Sequence, residues 1–558
     1  MSAPEGPATG ALGGPATGAR AAAAGGGSSV ARARSMLRRG RWAARAYAVY
    51  DKRTVDRIVR ATAAAAAAKA REYAEWAVRE TGFGVADHKE LKNIACSTGI
   101  ADHYAAHDYV TPRIDQDAKI VEIPRPAGVV FALTPSTNPV ATVYFKVLLA
   151  LMTRSVIIVS PHPMARECCA DAARTMAAAA VAAGAPDGVI QVIHQPSVPL
   201  ISAIMADEDT DVIMATGGEP VVRAAYSSGN PAIGVGPGNV PVFVDASADL
   251  ATAAKRIADS KSFDNSVLCT NESVLIVEDS AAPVLLRQLA ASGVHLLAPA
   301  DRDRLRETLF PGGHFDIRFV GKDASWIAAQ AGIAVPSRTR VLLAPFDLVV
   351  PEEPLAHEKL CPVLGLVRVP SARGGIAAAR AVLRLTGRGH SAAIHSSDPQ
   401  VIMDYAAAVE VLRVSVNAGN SLGSAGLETN LAPSMTIGTG FFGRSSVAEN
   451  LHPKHLVQWT RLAYHRDPAE VFGDFSRITP WRAPAGTTPP YPVASNAGAA
   501  AGPAIAGFAA SAGGIGGGTG EGPPAGAGLG VAERAMLRDE IRRLVLEELA
   551  QLTQAGGR

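Results

Sequence analysis

Between Gly128 and Ile193 short apolar runs alternate with longer helical ones, and this rhythm restricts the fold more than any other feature of the chain. Gly128–Leu133 reads as a strand, Pro139–Met152 as a helix, Ser155–Ser160 as a strand, Met164–Ala183 as a helix and Val189–Ile193 as a strand. Short, wholly apolar strands bounded by Gly, Pro and Ser fit a sheet covered on both faces. Parallel strands need a crossover long enough to hold a helix, so the alternation predicts a mostly parallel, doubly wound sheet. A second run of the same kind extends from Val240 to about Asn417. At 558 residues the chain has room for more than one domain. The expected class is α/β: two doubly wound domains with a cleft between them.

The flanks differ in kind. Residues 1–30 repeat GPATG and continue as AAAAGGGSS, with too little apolar surface to drive folding. From Ala31 the chain turns helical, first Arg-rich and then Ala-rich, and the spacing of Trp42, Tyr47 and Val49 suits a face packed on the body. Residues 483–530 are dominated by Pro, Gly, Ala and Ser, the composition of a flexible linker. Beyond it, residues 531–558 form an amphipathic pattern with Leu537, Ile541, Leu544, Val545, Leu549 and Leu552 on one face. That face has no core of its own to join and is expected to bind something else. An oligomerisation helix and a loosely docked tail are the plain readings. A membrane-surface helix fits less well, because the polar face is mixed in sign.

Net charge of +2 gives no sign of nucleic acid or an anionic membrane as partner. The five cysteines (Cys96, Cys168, Cys169, Cys269 and Cys361) show no CxxC pairing and no metal-ligand spacing, which argues for a reducing compartment without disulfides or zinc. No apolar run reaches the length of a membrane span, and the N-terminus lacks the apolar core of a signal peptide. A soluble, cytoplasmic protein is expected.

One cysteine stands apart. In Phe263-Asp264-Asn265-Ser266-Val267-Leu268-Cys269-Thr270-Asn271-Glu272-Ser273 the thiol sits in a small, polar segment that runs into the apolar strand Val274–Val277. A lone cysteine is most often a small buried hydrophobe. At the lip of a strand, however, its flanks can be fixed by packing while the sulfur meets substrate, and cysteine is the best protein nucleophile near neutral pH.

This segment resembles the active-site cysteine motif of the aldehyde dehydrogenase superfamily, in particular its CoA-acylating branch. That branch includes the aldehyde dehydrogenase half of bifunctional alcohol/aldehyde dehydrogenases and the propionaldehyde and acetaldehyde dehydrogenases of bacterial microcompartments. The resemblance runs from about Asp102 to about His465 and rests on ordered motifs. They are Thr134-Pro135-Ser136-Thr137-Asn138-Pro139, Ser160-Pro161-His162-Pro163, Ala215-Thr216-Gly217-Gly218, Gly234-Val235-Gly236-Pro237-Gly238-Asn239, the cysteine segment, and Ala356-His357-Glu358-Lys359-Leu360. It implies an NAD-binding α/β domain over residues 31–235, a catalytic α/β domain over 236–432 and a return segment over 433–482. It also implies an oligomerisation arm near 109–124, in a homodimer or homotetramer. The tail 531–558 resembles the encapsulation peptides of microcompartment cargo, which implies shell or cargo proteins as partners and a place in the lumen of a microcompartment.

The resemblance further implies that Cys269 attacks the aldehyde, with the Cys269 N–H and the Asn138 amide as oxyanion donors. Ala215-Thr216-Gly217-Gly218 follows a strand and opens a helix, so Thr216, Gly217 and Gly218 can meet a pyrophosphate there. It is no GxGxxG fingerprint and is weak alone. Ser160, Pro161 and His162 stand where hydrolytic relatives carry an adenosine-binding Lys, and Glu358 matches the carboxylate used on the nicotinamide ribose. Nothing reads out a 2′-phosphate, which favours NAD over NADP. At Val235 hydrolytic relatives place the Glu that activates water, and valine accepts no proton. The acyl-enzyme should therefore wait for the thiol of coenzyme A. His390 matches a His of acylating relatives, as a group that positions or deprotonates that thiol or as a histidine bonded to backbone. The alternatives are a hydrolytic dehydrogenase releasing free acid and a non-catalytic cargo scaffold.

Overall fold

The computed structural model describes residues 16–476, 478–481 and 489–492. The amphipathic segment 531–558, and all of the expected linker 483–530 except residues 489–492, lie outside the described residues. The architecture is α/β, as the alternation predicts. Five parallel strands form the smaller sheet, in the order Ile190–Val192, Val156–Ser160, Val129–Leu133, Val212–Thr216, Ala232–Val235. Seven parallel strands form the larger one, in the order Val294–Leu296, Val341–Pro345, Val363–Val369, Glu272–Glu278, Val240–Val244, Ala392–His395, Val414–Val416. Their central strands are buried along their whole length, which is why they read as continuous apolar runs.

The smaller sheet reverses its winding between Val129–Leu133 and Val212–Thr216, neighbours in register at Leu133 and Ala215. Ligands of open α/β sheets bind at the carboxyl ends of strands beside such a reversal. A buried lysine spans this point. Lys146, on the helix Pro139–Met152, donates to the carbonyls of Leu133 (2.7 Å) and Met214 (2.9 Å). It is fully buried, and burial lowers its pKa to about 7.

A third, antiparallel sheet joins Arg113–Asp115 and Ile120–Pro126 to the late strand Val457–Ala463, with Val457 opposite Pro126 and Ala463 opposite Ile120. The chain thus returns across the molecule, and Leu451, Leu456 and Trp481 join the core of the smaller sheet. Arg154, buried behind that return, donates to Ala48 O and Pro124 O (3.0 Å for the latter) and stacks on Trp481. Among the described residues no helix is long and apolar enough to cross a membrane.

One expectation needs correction. The first helix spans Ala16–Tyr47 and so begins inside the stretch read as an unstructured tail. Alanine is the strongest helix former, and the Ala-rich run carries the helix backwards from the part anchored by Leu37, Ala43 and Tyr47. Val49 lies beyond its end and is exposed, so the apolar spacing that includes it does not continue.

Lys146→Met keeps the volume but leaves two buried carbonyls unpaired, and is expected to cost about 1–3 kcal/mol for each. The unfolded chain binds the Lys146 proton more tightly than the folded one between pH 7 and its ordinary 10.5. Wild-type stability should therefore gain on the variant as pH rises through that window, as read by urea unfolding at pH 7 and 9.

Candidate active site

The carboxyl ends of the smaller sheet's strands lead to the loops Thr134–Asn138, Ser160–Pro163 and Thr216–Gly218. From the larger sheet come residues at the opposite, amino ends of strands: Gly238 precedes Val240, Cys269 precedes Glu272, Glu358 lies before Val363, and His390 precedes Ala392. One cavity of about 490 Å³ collects Asn138, Ser160, Pro161, His162, Thr216, Gly217, Gly218, Val235, Cys269 and Glu358 on its wall. His390 is fully buried and is not among the residues lining it.

The cysteine segment is held by polar groups that its own sequence supplies in part. Asn271 accepts from the Leu268 N–H (2.9 Å) and donates to Ser260 O. Glu272, wholly buried, accepts from Ser260 Oγ and the Asn420 N–H, both at 2.7 Å. Thr270 donates to Ser421 O, and Asn420 Nδ2 donates to Thr270 O, each at 2.8 Å. Just upstream, Asp264, Asn265 and Ser266 all take positive φ (50°, 49° and 64°), a conformation uncommon for three consecutive non-glycine residues although Asp and Asn adopt it more readily than most.

Cys269 is half-buried against the cavity, and burial, with Glu358 adding, pushes its thiol up to about 12. Glu358 is the one carboxylate on the cavity wall. Its Oε1 accepts from the Gly238 N–H at 3.1 Å, and burial raises it to about 8. Asn138 Nδ2 stands 3.4 Å from both Val267 O and Thr137 Oγ1, long contacts that leave it able to serve an incoming oxygen. His390 is held down to about 3 by burial, with Arg413 adding. Its Nδ1 lies 3.0 Å from Ser391 Oγ, which already accepts from Asn420 Nδ2 at 3.0 Å. The Ser391 proton is thus free for Nδ1, which favours a neutral ring with its hydrogen on Nε2, and that nitrogen is buried and unpartnered among the described residues.

The cavity also has groups that fit a dinucleotide. Ser160 Oγ and Thr134 Oγ1 are buried on its wall without hydrogen-bond partners among the described residues. The helix Glu219–Tyr226 opens at Gly218 with no side-chain cap, leaving its first amides to an anion. His162 Nδ1 accepts from the Met164 N–H (3.2 Å), and burial lowers its pKa.

Sequence reasoning did not single out Lys89, Lys92, Asp264, Arg413, Ser391 or Asn420 as functional. Lys89, Lys92 and Asn93 share one helical face, a polar stripe that was legible but reads as solvent-exposed. Ser391 and Asn420 reach the segment from more than a hundred residues away.

Two α/β sheets meeting over a cysteine in this way define an aldehyde dehydrogenase fold. The chain belongs to the aldehyde dehydrogenase family, whose profile matches residues 13–303. It is 35% identical over 458 residues to the bifunctional aldehyde-alcohol dehydrogenase of Escherichia coli K12, covering 80% of this chain and 51% of that protein, so it spans about half the length of that relative. It is 32% identical to the succinate-semialdehyde dehydrogenase (acetylating) of Clostridium kluyveri, covering 76% of this chain and 93% of that one. Among solved structures, an acetylating aldehyde dehydrogenase from Geobacillus thermoglucosidasius superposes with a TM-score of 0.77 at 37% identity, over 79% of this chain and 98% of that one. A propionaldehyde dehydrogenase from the Clostridium phytofermentans fucose utilisation bacterial microcompartment gives 0.71 at 26%, over 78% and 97%. The Rhodopseudomonas palustris propionaldehyde dehydrogenase with bound propionyl-CoA gives 0.71 at 26%, over 78% and 94%.

A Cβ added at Gly238 would lie 2.2 Å from the Cys269 carbonyl oxygen and 3.1 Å from His390 Cε1. Gly238→Ala must therefore displace the Cys269 backbone, and if Cys269 attacks an aldehyde, as proposed below, a misplacement of this kind is expected to slow NADH formation in a single turnover by about 10²-fold. Stopped-flow fluorescence checks it.

Proposed function

We propose that this protein oxidises a short-chain aldehyde to its acyl-CoA, reversibly, with NAD as oxidant and a thioester on Cys269 as intermediate. The observation that carries the reading is the cavity wall at Val235. An apolar side chain, 3% exposed, lines the cavity where, by the resemblance, hydrolytic relatives carry the Glu that activates water, and among the described residues Glu358 is the only carboxylate lining it. The similarity to acetylating relatives and to a propionyl-CoA-bound structure supports the same reading.

Cys269 would lose its proton to solvent and, as thiolate, attack the carbonyl carbon, giving the oxyanion of a thiohemiacetal. The Cys269 N–H and Asn138 Nδ2 would hold the developing oxyanion. NAD, when bound, supplies the hydride acceptor. Ser160 Oγ, Thr134 Oγ1 and the amides of Thr216–Gly218 would hold its phosphate and ribose groups, and Glu358 its second ribose. Loss of hydride from the thiohemiacetal leaves a thioester on Cys269. The CoA thiol, losing its proton, attacks that carbonyl and releases Cys269 as thiolate. His390, neutral and protonated on Nε2, is suited to orient this exchange by donating rather than to take the thiol proton.

The amphipathic sequence of residues 531–558, carried on a Pro/Gly/Ala-rich stretch, supports a second element of the proposal: the enzyme is cargo in the lumen of a bacterial microcompartment. Confinement there would retain a reactive aldehyde and recycle NAD and CoA. The microcompartment origin of the Clostridium phytofermentans neighbour is consistent with it.

NADH formation from propionaldehyde is expected to require CoA and to vanish in Cys269→Ala. A CoA-independent rate yielding free acid would overturn the acylating reading. Glu358 is neutral below about pH 8 and becomes a stronger, charge-assisted acceptor for ribose hydroxyls above it. kcat/KM for NAD should therefore rise across pH 7–9 in the wild type and lose that rise in Glu358→Gln. Deleting residues 531–558 should leave kcat unchanged and abolish co-purification with shell proteins. Undiminished co-purification would remove the cargo assignment.

A further inference from the structure

The helix Ala86–Ile94 is packed inside out. Its buried side chains are Lys89, Lys92 and Asn93, while Leu91 and Ile94 are exposed. Burying an ammonium group is unfavourable unless it is paired, so this face calls for a reason. Both lysines converge on one carboxylate, Asp264, which is itself wholly buried five residues before Cys269. Lys89 reaches Asp264 Oδ2 and Thr137 O, each at 3.0 Å. Lys92 makes a short contact to the same Oδ2 and directs another donor at Oδ1 of Asn138.

That last contact decides how Asn138 can work. An ammonium group has donors and no acceptor, so only the oxygen of the amide can face it. Reversing the amide would set –NH2 against –NH3⁺. With Oδ1 held by Lys92, Nδ2 points the other way, 3.4 Å from Val267 O, beside Cys269 on the cavity wall. The cluster also carries two ammonium groups for one carboxylate. The surplus positive charge lies behind the amide and strengthens Nδ2 as a donor. Asp264 ties the same cluster to the nucleophile's loop, because its Oδ1 accepts the Val85 N–H (2.6 Å) and its own N–H donates to His88 Nδ1 (2.8 Å).

We propose that Lys92 is a positioning residue of the reaction. It fixes the Asn138 amide with its N–H toward the reacting carbonyl. The proposal rests on the acyl-transfer chemistry above.

A double-mutant cycle tests it. Asn138→Ala should lower kcat about 10²-fold or more with propionaldehyde, NAD and CoA. Lys92→Met should lower kcat at least about tenfold while KM for aldehyde and NAD stays within about threefold. In the Asn138→Ala background, Lys92→Met should cost less than about threefold, because the group it orients is gone. Equal losses in both backgrounds, or no loss in either, would overturn the proposal. If Lys92→Met does not fold, the cycle is run on an Asp264→Asn background, where no buried anion is left unpaired, with the same criteria. The cycle is read in parallel on the p-nitrophenolate burst from p-nitrophenyl acetate, which needs Cys269 and an oxyanion donor but neither NAD nor CoA. A wild type that bursts without making acyl-CoA would sink the functional reading alone. A burst indifferent to Lys92 would sink this inference alone.

Discussion

Asp264 meets Lys89 and Lys92, from a helix more than 170 residues away in sequence, at the turn that leads to the nucleophile. The turn depends on them. Three consecutive non-glycine residues at positive φ cost about 1–3 kcal/mol each. A carboxylate that accepts two ammonium groups and a backbone N–H gains about 1.5–3 kcal/mol from each such bond. Because three charges are buried together there, removing one partner leaves another uncompensated and is expected to destabilise the turn. Stacking of His88 on Phe263, with centroids 4.5 Å apart, closes the same turn from outside. The helix Ala86–Ile94 thus serves the active site although none of its residues lines the cavity.

The two sheets contribute opposite ends. The smaller sheet offers the carboxyl ends of its strands at the reversal point, where loops and helix amides suit a phosphate. The larger sheet offers the amino ends of three strands, preceded by the segments that carry Cys269, Glu358 and His390. Lys146 ties the carbonyls of both central strands together at that reversal, so the loops starting there share one rigid base. Local protonation follows from how each group is buried. Cys269 is a thiol, Glu358 an acid below about pH 8 and His390 a neutral ring, because each lies where its charged form is poorly solvated. With these three groups uncharged near neutral pH, the Lys89–Lys92–Asp264 cluster carries formal charge behind the Asn138 amide. Its field favours the negative oxygen and sulfur that acyl transfer would generate.

Much of the fold is legible in the sequence because both sheets are parallel and covered on both faces. Their strands stand out as unbroken apolar runs, and the helix Pro139–Met152 is delimited by its proline and by Thr153. The cavity residues are legible because small loops at strand ends keep their neighbours adjacent in sequence. The helix Ala86–Ile94 defeats the same logic. Apolar periodicity assigns the inside of a helix to its apolar residues, and here Leu91 and Ile94 point out while lysines point in. The strand Val457–Ala463 and the residues Ser391 and Asn420 escape for another reason. Their roles come from long-range pairing, which no local pattern records.

In the proposed reaction the fate of an acyl group on Cys269 would follow from where acceptors for protons are missing. Water attacks a thioester usefully only when a base removes its proton during the attack, whereas a thiol already supplies some thiolate near neutral pH. Val235 provides no base. Glu358, the one carboxylate on the wall, holds its own proton near neutral pH and has one oxygen engaged by the Gly238 N–H. Gly238 in turn packs closely against the Cys269 carbonyl. In the proposed reaction Glu358 would serve a ribose rather than activate water, and a thiol would be the favoured acceptor.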